Sequence, residues 1–417
     1  MKFTTIALGT GFAVAAVPAL AQYNTPATSP QSMPQAAPAA DTKPAGLNPS
    51  QGALKAIVEL QKAVVANDTA NIPARVAAAQ AVAKTKEDRY LIAVFQRQAA
   101  LAAKDNVALA AAVDAIVNSG VVDSTKIAAL YMDLGIQQFN AKQFQQAAAS
   151  FQRAAAVTPN DPQTVELLAQ AQAAGGQNAE AAGTFQRAIQ ARLAANQKPS
   201  EDMYRRAVQA AYDAHLPTAV ELSRQWVSTY PTPDSWRNSI AIYRNLKRPD
   251  VEGTLDLLRL MQTTGALSSA ADYELFATAA AEQANYVEAQ SIIDAGIAAH
   301  KVDPASPMFR DVIAGLKSKQ KLTEADLVEA VKMAQSGQQM VRVGDRYFSM
   351  GQYAKAAALY RQGLAKGGGD PEIANLHLGM ALARAGDKAG ATAAFNAVTG
   401  ARSDVAKFWL LYLQSQA

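Results

Sequence analysis

The chain of 417 residues has no cysteine and only three histidines. Without cysteine there is no disulfide framework, zinc ribbon, iron–sulfur cluster or thiol nucleophile. There is also no thiol to acylate, which excludes an anchor built on a lipidated cysteine. Aromatics make up 7% and charged residues 18% of the chain, whereas a typical soluble domain carries about a quarter charged residues. No alternating run of Val, Ile, Thr or Tyr is long enough to make a strand. Beyond the first residues, no stretch approaches about 18 uninterrupted apolar residues, so no transmembrane segment is expected.

Alanine, by contrast, supplies roughly a fifth of the chain, far above ordinary usage and the strongest helix former. The N-terminus begins with Lys2, continues as an apolar run from Ile6 to Val17, and breaks at Pro18. Ala19-Leu20-Ala21 then places small residues where a signal peptidase reads, so residues 1–21 read as a bacterial secretory leader cleaved after Ala21. Periplasmic or secreted localisation follows, a setting in which a cysteine-free chain cannot mispair. Residues 22–50 carry Pro26, Pro30, Pro34, Pro38, Pro44 and Pro49 with almost no charge. Such a segment buries too little surface to offset its ordering entropy and is expected to be a tether.

From residue 51 onward, helix-length segments alternate with short breaks and repeat. Ala147, Phe151 and Ala154 match Ala181, Phe185 and Ala188, a shift of 34 residues. A fuller copy runs through Gly344, Tyr347, Gly351, Tyr353, Ala356 and Tyr360, followed by Gly379, Gly386, Ala391 and Phe395. Weaker copies carry Ala219 and Trp226, then Gly253 and Leu257, then Ala289 and Gly296. A period of this size signals stacked helix–turn–helix units.

These residues resemble the tetratricopeptide repeat. The resemblance implies an all-α fold, an α-solenoid forming a right-handed superhelix of about nine to ten helix pairs. Gly135, Gly344 and Gly379 on first helices, and Ala147, Ala181, Ala356 and Ala391 on second helices, would allow close approach. The aromatics Phe151, Phe185, Tyr360 and Phe395 would fill space toward the next unit. Units are expected near residues 128, 162, 200, 234, 270, 337 and 372, with a divergent one near 304. Its second helix would start at Thr323, capped with Asp326. Residues 51–122 match the repeat in size only, and an unrelated helical bundle there is the alternative. Residues 123–401 form the array. Residues 402–417 make a terminal helix, apolar on more than one face, that either packs under the last unit or offers a contact.

No arrangement of residues points to catalysis. His215, His300 and His377 are far apart in sequence and form no His-Glu-x-x-His pair. His215 and His300 sit at helix ends, and His377 faces a neighbouring helix. There is no nucleophile elbow and no phosphate loop. Gly367-Gly368-Gly369-Asp370 reads as a turn before a helix start at Pro371. The net charge of +4 is scattered and not interleaved with aromatics, so no nucleic acid is expected. No cofactor or metal is expected.

What remains is a binding surface. In the repeats it resembles, first helices line a groove. The implied groove positions are Met132, Ile136, Phe139 and Asn140; Glu166 and Gln170; Tyr204, Val208 and Tyr212; Asn238, Ile242 and Asn245; and Glu274, Thr278 and Glu282. One sub-family grips a C-terminal carboxylate with Lys and Asn. Here Met132 and Ile136 stand at those places in one unit, and Val341 and Asp345 in another. The expected function is a non-enzymatic scaffold that binds a peptide or another envelope or secreted protein. The alternative is an accessory subunit of an envelope polymer machine. Sugar contact would need aromatic platforms, for which Tyr204, Tyr212 and Trp236 are the candidates.

Overall fold

The computed structural model describes residue 47, residues 49–319 and residues 323–416. The leader at residues 1–21 and nearly all of the tether lie outside the described residues. Described residues form 21 α-helices and no strand. The chain separates between Lys198 and Pro199 into two compact units, where the sequence pattern alone suggested one uninterrupted array.

The first unit contains α1 (Gln51–Val65), α2 (Ile72–Val82), α3 (Lys86–Ala103), α4 (Asn106–Asn118), α5 (Ser124–Asn140), α6 (Phe144–Val157), α7 (Pro162–Ala174) and α8 (Asn178–Ala194). They pack as four consecutive hairpins, each stacked on the next. Residues 51–122 supply two of these hairpins. Sequence dictates the starts. Asp105, Asp123 and Asp161 cap α4, α5 and α7 through their carboxylates, and Pro162 occupies a first-turn position where no N–H is needed. At the other edge, Asp88 is fully buried and accepts from Ser50 N and Oγ, Lys84 N and Thr85 N, all within 3.0 Å. These bonds hold its carboxyl well below the usual range despite burial.

The second unit contains α9 (Glu201–Asp213), α10 (Thr218–Thr229), α11 (Pro233–Lys247), α12 (Val251–Thr263), α13 (Ala270–Glu282), α14 (Tyr286–Ala298), α15 (Pro307–Lys317), α16 (Glu324–Met333), α17 (Gly337–Ser349), α18 (Tyr353–Lys366), α19 (Pro371–Ala385), α20 (Lys388–Asn396) and α21 (Ser403–Ser415). The divergent segment holds α15, which packs on α13 and α14, and α16, which packs on α17; Thr323 and Asp326 do form a reciprocal capping box. Each unit is thus an α-solenoid, built of stacked hairpins except at α15 and α16.

The repeat residues act largely as their spacing implies. A Cβ on Gly135 would lie 2.6 Å from Phe151 Cε1, one on Gly344 2.6 Å from Tyr360 Cε1, and one on Gly379 2.5 Å from Phe395 Cδ1. In each pair the ring stands 16 residues after the glycine and lies on the bare backbone of its own first helix. That differs from a role directed only toward the next unit. Phe151 serves both, because it also joins Leu168 and Ala171 of α7. Burying such a ring stabilises by about 1.5–3 kcal/mol.

The turns repeat as well. Asn67, Lys104, Lys142, Gly176, His215, Arg248, Ala284, Gly351 and Gly386 each take a positive φ between the two helices of a pair. Only three of these are glycine, although the left-handed region penalises a Cβ. His215 is therefore a turn residue. His300, at φ 55°, plays the same part after α14.

Candidate functional site

The second unit closes on itself through residues far apart in sequence. Arg402, just before α21, pairs with Asp250 at 3.0 Å and Glu252 at 2.8 Å. Asp404 pairs with Arg224 of α10 at 2.8 Å, and that guanidinium lies 5.0 Å from the centre of the Phe408 ring. Phe408 also meets Tyr243 edge-on, and Trp409 stacks on Phe395. Both Phe408 and Trp409 are fully buried. The terminal helix thus packs under the last hairpin and also against α10 and α12.

Closure leaves α12 surrounded. Its residues from Leu255 through Met261 are all buried, including Asp256 and Arg259. Burying a charge demands partners. Arg259 donates to both oxygens of Glu288 at 2.9 and 2.8 Å and to Asp256 at 3.1 Å, and stands over the Phe348 ring. His377 of α19 lies 2.8 Å from Asp345 and 3.3 Å from Asp256. Tyr360 donates to the same Asp345 at 2.8 Å. Burial alone would lower His377, but the carboxylates of Asp345 and Asp256 reverse this and raise it to about 10. His377 is therefore a buried imidazolium. Sequence reasoning placed it correctly against a neighbouring helix but missed its charge and its partners.

Beside this cluster lies a cleft of about 390 Å³, bordered by Glu252, Arg259, Glu282, Arg342, Asp345 and His377. Among the described residues, no group of three or more His, Asp or Glu side chains is placed to hold a metal ion. No helix among them is long and apolar enough to cross a membrane.

The implied groove residues divide by unit. Tyr204, Val208, Asn238 and Ile242 are buried. The expectation that they line an open groove is corrected here, because they pack inside the closed second unit. Tyr204 stands edge-on to Tyr230 and its hydroxyl accepts from Thr229, and Asn238 donates to Asp234 O. Tyr212 is half-buried and bonded to Asn245, and Glu274 is half-buried and bonded to Thr278. In the first unit Phe139 is also buried, edge-on against Phe144. Met132, Ile136, Glu166 and Gln170 are half-buried and Asn140 is exposed.

Glu166 and Gln170 border one open cleft of about 440 Å³ on α7, together with Gln163, Leu167, Arg192 and Gln197. Gln170 donates to Glu166 at 3.3 Å. Arg192 of α8 reaches back to the same carboxylate through Nε and Nη2, at 3.1 and 2.5 Å. Arg192 and Gln197 were missed by the sequence reading, since both lie past the first helix that supplies groove positions. The arrangement has paired charge, several carboxamides and an apolar edge. It can hold a polar, extended ligand but offers no nucleophile or isolated acid.

A family model described as tetratricopeptide repeat matches residues 132–197 and 343–406. The first stretch lies in the first unit and the second in the second unit. No protein of curated function matches the chain. Among solved structures, a tetratricopeptide repeat protein from Parabacteroides merdae is 14% identical, over 78% of this chain and 99% of that one, with a TM-score of 0.27. The Naa15/Naa10 assembly bound to HypK-THB is 13% identical over 87% and 65%, with a TM-score of 0.38. The TPR2AB-domain:pHSP90 complex of yeast Sti1 is 14% identical over 70% and 100%, with a TM-score of 0.25. The two matched stretches are similar to tetratricopeptide repeats.

Proposed function

We propose that the protein is a scaffold of the bacterial periplasm or cell envelope that binds an extended segment of another envelope or secreted protein along the first unit. One observation carries this reading. Gln163, Glu166, Gln170 and Arg192 meet at a single open cleft within the matched repeats, whereas four implied groove residues of the second unit are buried. A peptide backbone presents N–H and C=O groups in alternation, and carboxamides can answer both. Half-buried Met132 and Ile136 on α5 add apolar contact for alternate side chains. The location rests on the leader-like residues 1–21, with Lys2, the apolar run and Ala21. Direct polymer contact has less support, since Tyr204 and Trp236, two of its three aromatic platforms, are 2% exposed.

The test is affinity capture of the chain, expressed with its leader in a bacterial host, from the envelope fraction. The expected result is one stoichiometric protein partner, lost from a Gln163→Ala/Gln170→Ala variant whose thermal melt is unchanged. Equal recovery on that variant, or glycan alone, overturns the binding assignment. A mature N-terminus at Gln22 in the periplasm supports the location, and a cytosolic chain that keeps Met1 overturns it.

A further inference from the structure

We propose that the cleft of the second unit, between α12, α17 and the start of α19, binds a small zwitterion of the free α-amino-acid class. Its volume of about 390 Å³ falls near the lower end of small-molecule sites. Leu255, Val341 and Ile373 give it an apolar wall. Most of its charges are engaged inside the protein. Arg259 is held by Glu288 and Asp256, and Asp345 by His377 and Tyr360. Arg346 donates to the carbonyls of Gln283 and Ala284 and to Asn285 Oδ1.

Two bordering charges lack such partners. Arg342, on the exposed side of α17, and Glu282, at the end of α13, take part in no ion pair or side-chain hydrogen bond found among the described residues. One free cation and one free carboxylate therefore face a shared space with an apolar side. Opposite charges on one rim discriminate by repulsion as well as attraction. A bare anion meets Glu282 and Glu252, and a bare cation meets Arg342 and Arg346. A ligand that carries a carboxylate, an ammonium and a short side chain answers Arg342, Glu282 and the apolar wall together. This site is independent of the cleft in the first unit.

The experiment is calorimetric titration of the full chain with each of the twenty free L-amino acids. Acetate, ethylamine, and the N-acetyl and methyl-ester derivatives of the best binder serve as half-ligands. Binding by at least one free amino acid is expected, with each half-ligand at least tenfold weaker. Arg342→Ala and Glu282→Gln, both at exposed positions, should each weaken it at least tenfold, and Arg342→Lys less. The proposal is overturned if no amino acid binds by about 10 mM, if acetate or ethylamine binds equally well, or if neither variant changes the affinity.

Discussion

His377 is held between two carboxylates on different helices, with Nδ1 2.8 Å from Asp345 Oδ1 and Nε2 3.3 Å from Asp256 Oδ1. The second contact is at ion-pair distance but outside hydrogen-bond geometry. Arg259 and Glu288 extend the cluster from α12 to α14, Tyr360 adds a hydroxyl from α18, and Glu252 and Arg402 stand at its edge. The inner helices of the closed unit are thereby fastened by charge as well as by apolar contact.

This arrangement makes the second unit sensitive to alkali. His377 is raised from 6.5 to about 10 in the folded chain. A raised folded value means that the folded state holds the proton more tightly than the unfolded one. The stabilisation is complete below about pH 6.5 and is lost as pH rises toward 10. Urea unfolding followed from pH 6 to pH 10 should show a falling midpoint for the second unit. His377→Gln should flatten that slope and cost about 3–5 kcal/mol at pH 6, because two buried carboxylates lose a shared cation. A midpoint that does not change over this range in the wild type contradicts the assignment.

The glycine–ring contacts give a second prediction. The Cβ of Gly135→Ala would sit 2.6 Å from the Phe151 ring, closer than real contacts allow. Overpacking of this kind costs about 1–3 kcal/mol. In a Phe151→Leu background the smaller side chain leaves room, so the same alanine should cost clearly less. A double-mutant cycle measured by urea unfolding reads the coupling directly. Simple additivity would show that the glycine is present for some other reason.

Much of the architecture was legible because it is periodic. The Ala147 and Ala181 spacing, the rings at Phe151 and Phe395, and the cap at Thr323 are local signals. Helix pairing in these repeats depends on residues within about 34 positions of one another. The closure of the second unit depends on contacts between residues 402 and 250–252, or 404 and 224, and no periodicity encodes such distances. For that reason Tyr204 and Ile242 read as groove residues, although the unit folds over them. The run Leu255 to Met261 did carry a hint, being apolar on every side except at Asp256 and Arg259. A helix of that kind is surrounded, and its two charges must then find partners such as Glu288 and His377. In the first unit the same groove rule placed Glu166 and Gln170 at an open cleft, where both are half-buried.

The turn residues supply the last prediction. Lys142 takes φ 61° between α5 and α6, and its backbone N–H donates to Phe139 O at 2.9 Å. The lysine side chain is exposed and has no ion pair with any described residue. Nothing but the backbone therefore depends on this position. A left-handed conformation costs a residue with a Cβ roughly 1–2 kcal/mol, while glycine accepts it freely. Glycine also loses more entropy on folding, which offsets part of the gain. Lys142→Gly should therefore stabilise the first unit by about 0.5–1 kcal/mol, read as a higher urea midpoint at unchanged slope. Lys142→Val, branched at Cβ, should lower the midpoint instead. If glycine and valine shift it in the same direction, the turn is not held in the left-handed region in solution.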